Sequence, residues 1–116
     1  MARCFTDKGA LRATLAAAGL PSPAWRLVDA ERGLLAAAAG VGLPLVVKPI
    51  DNQSGQGVRI VREAAALADA YANALAHSRA RRVLLEALLP GREFIVDSLA
   101  IEGRHTVLAI AAKLPY

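Results

Sequence analysis

Gly42-Leu43-Pro44-Leu45-Val46-Val47-Lys48-Pro49, followed by Asp51-Asn52-Gln53-Ser54-Gly55-Gln56-Gly57 and then Val58 to Val61, is the stretch whose reading decides the fold. Its first part is a β-branched apolar run closed by a proline, the pattern of a buried strand whose last residues emerge into solvent or a site. The second part is polar and carries two glycines, hence a loop. The third resumes as a strand. Together they predict a hairpin of strands near 44–48 and 58–61 with a long flexible tip, and Lys48 stands where the buried strand meets that tip.

Upstream, Asp7 is placed to cap a helix running to about Ala18, with Leu11 and Leu15 on one face and Gly19 as its stop. Leu20-Pro21-Ser22-Pro23 cannot continue it, because each proline disfavours helix in the residue before it. A short strand over 24–28 follows, and Asp29 is expected to cap an alanine-rich helix over 30–40. Downstream, Leu67, Tyr71 and Leu75 recur at helical spacing and predict an amphipathic helix over 63–78, with Tyr71 as a core aromatic. Val83-Leu84-Leu85-Glu86 reads as a further buried strand (83–87), Pro90-Gly91 as a turn, and strands over 93–101 and 104–113 as a hairpin turned at Glu102-Gly103. The result is an α+β class with a mostly antiparallel sheet and packed helices.

Length and composition set the bounds on function. The 116 residues, 55% apolar and 21% charged, allow one moderate core and argue against disorder, and no apolar run approaches the roughly 20 residues of a membrane helix. The chain therefore reads as soluble with no membrane partner. The start lacks a basic region followed by an apolar stretch, so a cytoplasmic location is expected. The single cysteine, Cys4, has no internal disulfide partner and no neighbouring metal-ligating residues. A net charge of +4 permits an anionic ligand. Aromatics at 4% are too few to interleave with basic residues for nucleic acid, and Arg79-Ala80-Arg81-Arg82 reads as a solvated helix end. His77 and His105 read as surface residues.

Against eleven arginines there are only three lysines, Lys8, Lys48 and Lys113, so each is a candidate for a task that suits a compact ammonium on a flexible stem. Polyphosphate requires fixed positive charge and backbone N–H groups that can come close, and Lys48 beside Ser54-Gly55-Gln56-Gly57 supplies both. This is not a Walker A loop, since no Gly-Lys-Ser/Thr follows, nor a dinucleotide fingerprint, since a strand comes next.

Taken in order, Thr6-Asp7-Lys8, Gly19-Leu20-Pro21, Leu43-Pro44-Leu45-Val46-Val47-Lys48-Pro49, Ser54-Gly55-Gln56-Gly57, Val83-Leu84-Leu85-Glu86 and Gly91-Arg92-Glu93-Phe94 resemble the ATP-grasp superfamily over nearly the whole chain. The flavour is most similar to its amino-acid and dipeptide ligases, and more distantly to carbamoyl-phosphate-synthase-like and biotin-carboxylase-like members. The resemblance implies a connecting helix and linker at 1–22, an ATP-grasp lid subdomain at 23–90 and the first strands of the C-terminal subdomain at 91–116. It implies ATP as ligand, with Lys8 on the α-phosphate, Lys48 on the α- and β-phosphates, and Ser54, Gly55 and Gly57 folding over them. Glu86 would take the adenine amino group, the backbone at Ala87 and Leu88 would line the base, and Glu93 would accept the ribose hydroxyls. Lys113 lies where relatives carry a basic residue.

The magnesium such enzymes use is expected on acidic and asparagine side chains beyond Tyr116, so neither metal ligands nor catalytic residues are assigned here. The chain is expected to bind ATP without turnover of its own, small carboxylate and amine substrates belonging to a longer parent. The last strand runs out at Leu114-Pro115-Tyr116, leaving an edge open to self-association. The alternative is a non-catalytic regulatory or protein-interaction module on the same fold.

Overall fold

A computed structural model describes residues 3–114, and the expected run-out at Pro115 and Tyr116 lies outside them. Helix α1 (Arg3–Thr6) is one turn, and α2 (Lys8–Ala17) starts at Asp7, whose side chain accepts from Ala10 N at 2.9 Å. Past Ala18, Gly19 at φ 67° lets Leu20 N donate to Leu15 O and Gly19 N to Ala16 O, the paired bonds of a Schellman stop. Strand β1 (Trp25–Val28) leads to a 3-10 turn at Glu31–Gly33 and helix α3 (Leu34–Val41). Then come β2 (Leu45–Pro49), β3 (Arg59–Val61), a 3-10 turn at Ala64–Ala66, α4 (Leu67–Ala76), β4 (Val83–Ala87), β5 (Phe94–Ile101) and β6 (Arg104–Ala112).

Strands β1 to β4 form one sheet in the order β1-β4-β2-β3, antiparallel at every pairing. Because side chains alternate along a strand, the register sorts the sheet into two faces. Leu45 and Val47 of β2, with Val83 and Leu85 of β4, meet Leu34 of α3 and Leu67, Ala70, Tyr71 and Ala74 of α4 in one core. Tyr71 is a core aromatic, as its helical spacing predicts. The opposite face carries Leu27, Val46, Lys48, Leu84 and Glu86, and α2 crosses it, with the Leu27 side chain 3.4 Å from where a Cβ would stand on Gly9.

Two local expectations are corrected. Asp29 does not cap α3: the chain enters through a 3-10 turn with no side-chain cap, and Asp29 pairs instead with Arg82. The basic run Arg79 to Arg82 lies beyond the last turn of α4, which ends at Ala76, although Arg81 Nη1 still reaches back to Leu75 O at 3.4 Å.

β5 and β6 form a separate ribbon closed at Glu102 (φ 50°) and Gly103 (φ 78°), the positive pair of a two-residue hairpin turn. Both faces of the ribbon are exposed, including Phe94, Ile95, Val96, Leu99, Ile101, Val107, Leu108 and Ile110.

Candidate functional site

The polar cluster on the α2 face begins with helix geometry. Lys8 opens α2 and Arg12 follows four residues on, so both side chains leave the same side of the helix. Lys8 Nζ donates to the carbonyls of Pro49 (3.1 Å) and Asn52, and Lys8 N donates to Ile50 O at 2.9 Å. The start of α2 is thereby pinned to the end of β2. An ammonium has three donors, so one N–H of Lys8 stays available to a ligand.

Arg12 reaches Glu86, a residue only 4% exposed at the middle of the sheet face. Arg12 Nε binds Oε1 and Lys48 Nζ binds Oε2, so each carboxylate oxygen has its own cation. Burial alone would push the Glu86 carboxyl up, but the hydrogen bonds from Arg12 and Lys48 outweigh it and hold the group below its ordinary range. Lys8 is pushed down from its ordinary value, first by burial and then by repulsion from Lys48. Three cations converge around one buried carboxylate, and this surplus suits a polyanion.

Lys8 and Lys48 line a cleft of about 450 Å³ together with Leu11, Ser54, Gly55 and Val58. The loop that lines it is tied down at its root. Asp51 Oδ1 accepts from Ser78 Oγ (2.8 Å) and Oδ2 from Ala80 N (2.7 Å). Burial would raise the Asp51 carboxyl, yet these bonds leave it below its ordinary value. Asn52 Nδ2 donates to His77 O at 3.1 Å.

Beyond the root the backbone turns left-handed at Ser54 (φ 61°), Gly55 (φ 71°) and Gly57 (φ 77°). Gly57 also lies against α4's end, where a Cβ would come within 2.8 Å of His77 Cβ. His77 and His105 are exposed, as expected, but His77 is also the platform of the loop.

The remaining expected residues fall elsewhere. Ala87 N donates to Ala24 O (2.8 Å) and Leu88 N to Pro44 O (3.1 Å), so both amides are used within the protein. Glu93 is exposed and faces Lys113, whose Nζ is 3.2 Å from both carboxylate oxygens and whose N donates to Glu93 O at 2.9 Å. The structure thus brings together Lys8, Lys48, Ser54 and Gly55, links Glu86 to them through Lys48, and gives Glu93 no described contact with that group. Arg12, Asp51 and Asn52 escaped the sequence reading. For Arg12 a signal existed, its i+4 spacing from Lys8; for the other two the partners, His77, Ser78 and Ala80, lie just past the end of α4, far away in the sequence.

The family model described as the ATP-grasp domain matches residues 13–96. The D-alanine–D-alanine ligase of Synechococcus sp. is 38% identical over 109 residues, covering 92% of this chain and 33% of the ligase. The formate-dependent phosphoribosylglycinamide formyltransferase of Klebsiella pneumoniae is 35% identical over 91 residues, 74% of this chain and 23% of the relative. Among solved structures, the D-alanyl-alanine synthetase A of Vibrio cholerae superposes with a TM-score of 0.81 at 19% identity, over 98% of this chain and 35% of that one, a likeness of fold. The chain spans about a third or less of the length of these relatives. With the family model covering most of its length and D-alanine–D-alanine ligases among the relatives aligned over nearly all of it, the chain belongs to the ATP-grasp family.

Proposed function

We propose that this chain is the ATP-binding portion of a carboxylate–amine (or thiol) ligase that forms an acyl phosphate from a carboxylate and ATP, which an amine or similar nucleophile then attacks. The observation that carries the reading is the convergence of Lys8 and Lys48 on one cleft with the Ser54-Gly55 loop. The triphosphate lies against both ammonium groups, with the loop closing from above. Glu86 retains free lone pairs for the amino group of the base, a carboxylate having about four acceptor positions. Since the amides of Ala87 and Leu88 are occupied, the chain offers the base the carbonyl side of this segment. It also offers the N–H of Leu89, which among the described residues has no backbone acceptor. Glu93 serves the ribose after parting from Lys113, an exposed pair that costs little to break.

In this reading residues 1–22 connect, 23–90 form the lid and 91–116 start the next subdomain, whose bare apolar ribbon suits pairing with further strands. Among the described residues no group of three His, Cys, Asp or Glu side chains could hold a metal ion, so the magnesium that supports phosphoryl transfer in such ligases is not placed on them. The chain's own share is binding and orientation, with weak affinity and no turnover in isolation. Calorimetric titration of the full chain with ADP and with adenosine tests the reading. Tighter binding of ADP is expected, and no binding of either at millimolar concentration would overturn it.

A further inference from the structure

We infer that Arg12 is a positioning residue: its fixed guanidinium keeps Glu86 paired when Lys48 leaves that carboxylate for a nucleotide phosphate. The inference rests on the nucleotide reading above and concerns how the buried charges survive binding.

Lys48 and Arg12 hold one Glu86 oxygen each, and all three side chains are largely covered, at 19%, 20% and 5% exposed. Lys48 is therefore a shared cation. If it serves a phosphate it must loosen its grip on Glu86, and a buried carboxylate left without a cation is strongly penalised. The charged groups facing Glu86 are Arg12 and Lys8 from α2 and Lys48 from β2; its register partner on β1 is Trp25, which carries no charge. Lys8 gives two of its three N–H groups to the Pro49 and Asn52 carbonyls and keeps the third for the phosphates. Of the three cations Arg12 alone does not line the cleft, and it stays charged at every working pH. The division of labour follows from position: Arg12 is the permanent partner, Lys48 the exchangeable one.

The test uses the full chain with ADP and adenosine as probes. Arg12→Met is expected to weaken ADP by roughly 10- to 100-fold while changing adenosine much less. ADP binding to this variant is also expected to take up a proton, read from titrations in two buffers of different ionisation heat, because the abandoned Glu86 then protonates. Arg12→Lys, which keeps a charge, should recover most of the affinity and abolish the proton uptake. A purely structural role for Arg12 would weaken both ligands alike with no proton uptake, and that result overturns the inference.

Should Arg12→Met fail to fold, Glu86→Gln and Glu86→Gln with Arg12→Met are compared. Equal ADP-to-adenosine ratios support the inference, and a further fall in the double variant refutes it. Failure of the underlying reading looks different: wild-type protein then does not prefer ADP, or Lys48→Ala leaves that preference intact.

Discussion

Lys48 on β2 and Glu86 on β4 are diagonal neighbours on one sheet face, because the antiparallel register sets Val46 opposite Glu86 and Lys48 opposite Leu84. Diagonal neighbours of this kind lie within reach of long side chains. The lysine at the mouth of the cleft is thus wired directly to the buried carboxylate beneath it.

The nucleotide reading predicts separable effects of two substitutions. Lys48→Ala should weaken ATP and ADP far more than adenosine, by roughly 10- to 150-fold, the typical loss for a charge-assisted contact of about 1.5 to 3 kcal/mol. Glu93→Ala should weaken all three and leave 2′,3′-dideoxy analogues nearly unchanged. Competition titrations suited to weak ligands decide it; equal losses for adenosine and ATP on Lys48→Ala remove the lysine from the phosphate site.

Glu86 should also govern acid stability. Its folded pKa is depressed, so its ionised form stabilises the fold fully above the ordinary glutamate range of about 4.3, and that contribution is lost as the pH falls below it toward the depressed folded value. Glu86→Gln, which strands Arg12 and Lys48, is expected to cost about 3 kcal/mol near pH 7. Urea unfolding at neutral pH and near pH 3 should show the gap between variant and wild type narrowing in acid. A gap independent of pH would mean that packing, not charge, accounts for the loss.

The two loop glycines should respond differently to alanine. Both have positive φ, which costs an L-residue about 1 to 2 kcal/mol. Around Gly55 there is open space, whereas a Cβ on Gly57 meets His77 Cβ at 2.8 Å and Pro49 Cγ at 3.2 Å. Gly57→Ala is therefore expected to lower the melting temperature more than Gly55→Ala. Equal shifts would show that the contact with His77 is not held in solution.

Hydrogen bonds of Asp51 and Asn52 fix the root of the loop, and the tip beyond them is expected to be mobile. Hydrogen exchange should be fastest over 53–57 among the internal segments of the sheet unit and slow down when ADP is added. Asp51→Asn, which weakens the bonds from Ser78 and Ala80, should extend the fast region back to the root. A tip as protected as β2 in the free protein counts against its role as a closing element.

Much of the fold is written in local pattern. The β-branched apolar run Leu45 to Val47, closed by Lys48-Pro49, marks the strand, and the spacing of Leu67 and Tyr71 marks α4. Asp7 and Gly19 punctuate α2 through single-residue chemistry that needs no distant partner. Asp29 misled because a capping residue type was present while the backbone entered α3 through a 3-10 turn, leaving its carboxylate to Arg82, its neighbour at the end of the β1–β4 pairing.

What the sequence alone determined is which elements exist, that the helix bearing Leu67 and Tyr71 has an apolar face, and that a few lysines, glutamates and glycines stand at element ends in an order resembling the ATP-grasp family. Only the tertiary structure decided that Arg12, Lys48 and Glu86 form one cluster, that Asp51 is bound to Ser78 and Ala80, and that Gly57 rests on His77. The physical reason is that periodicity assigns a side chain to a face but not to a partner. Partners are set by strand register and by the way α2 and the end of α4 pack, through contacts between residues far apart in the chain.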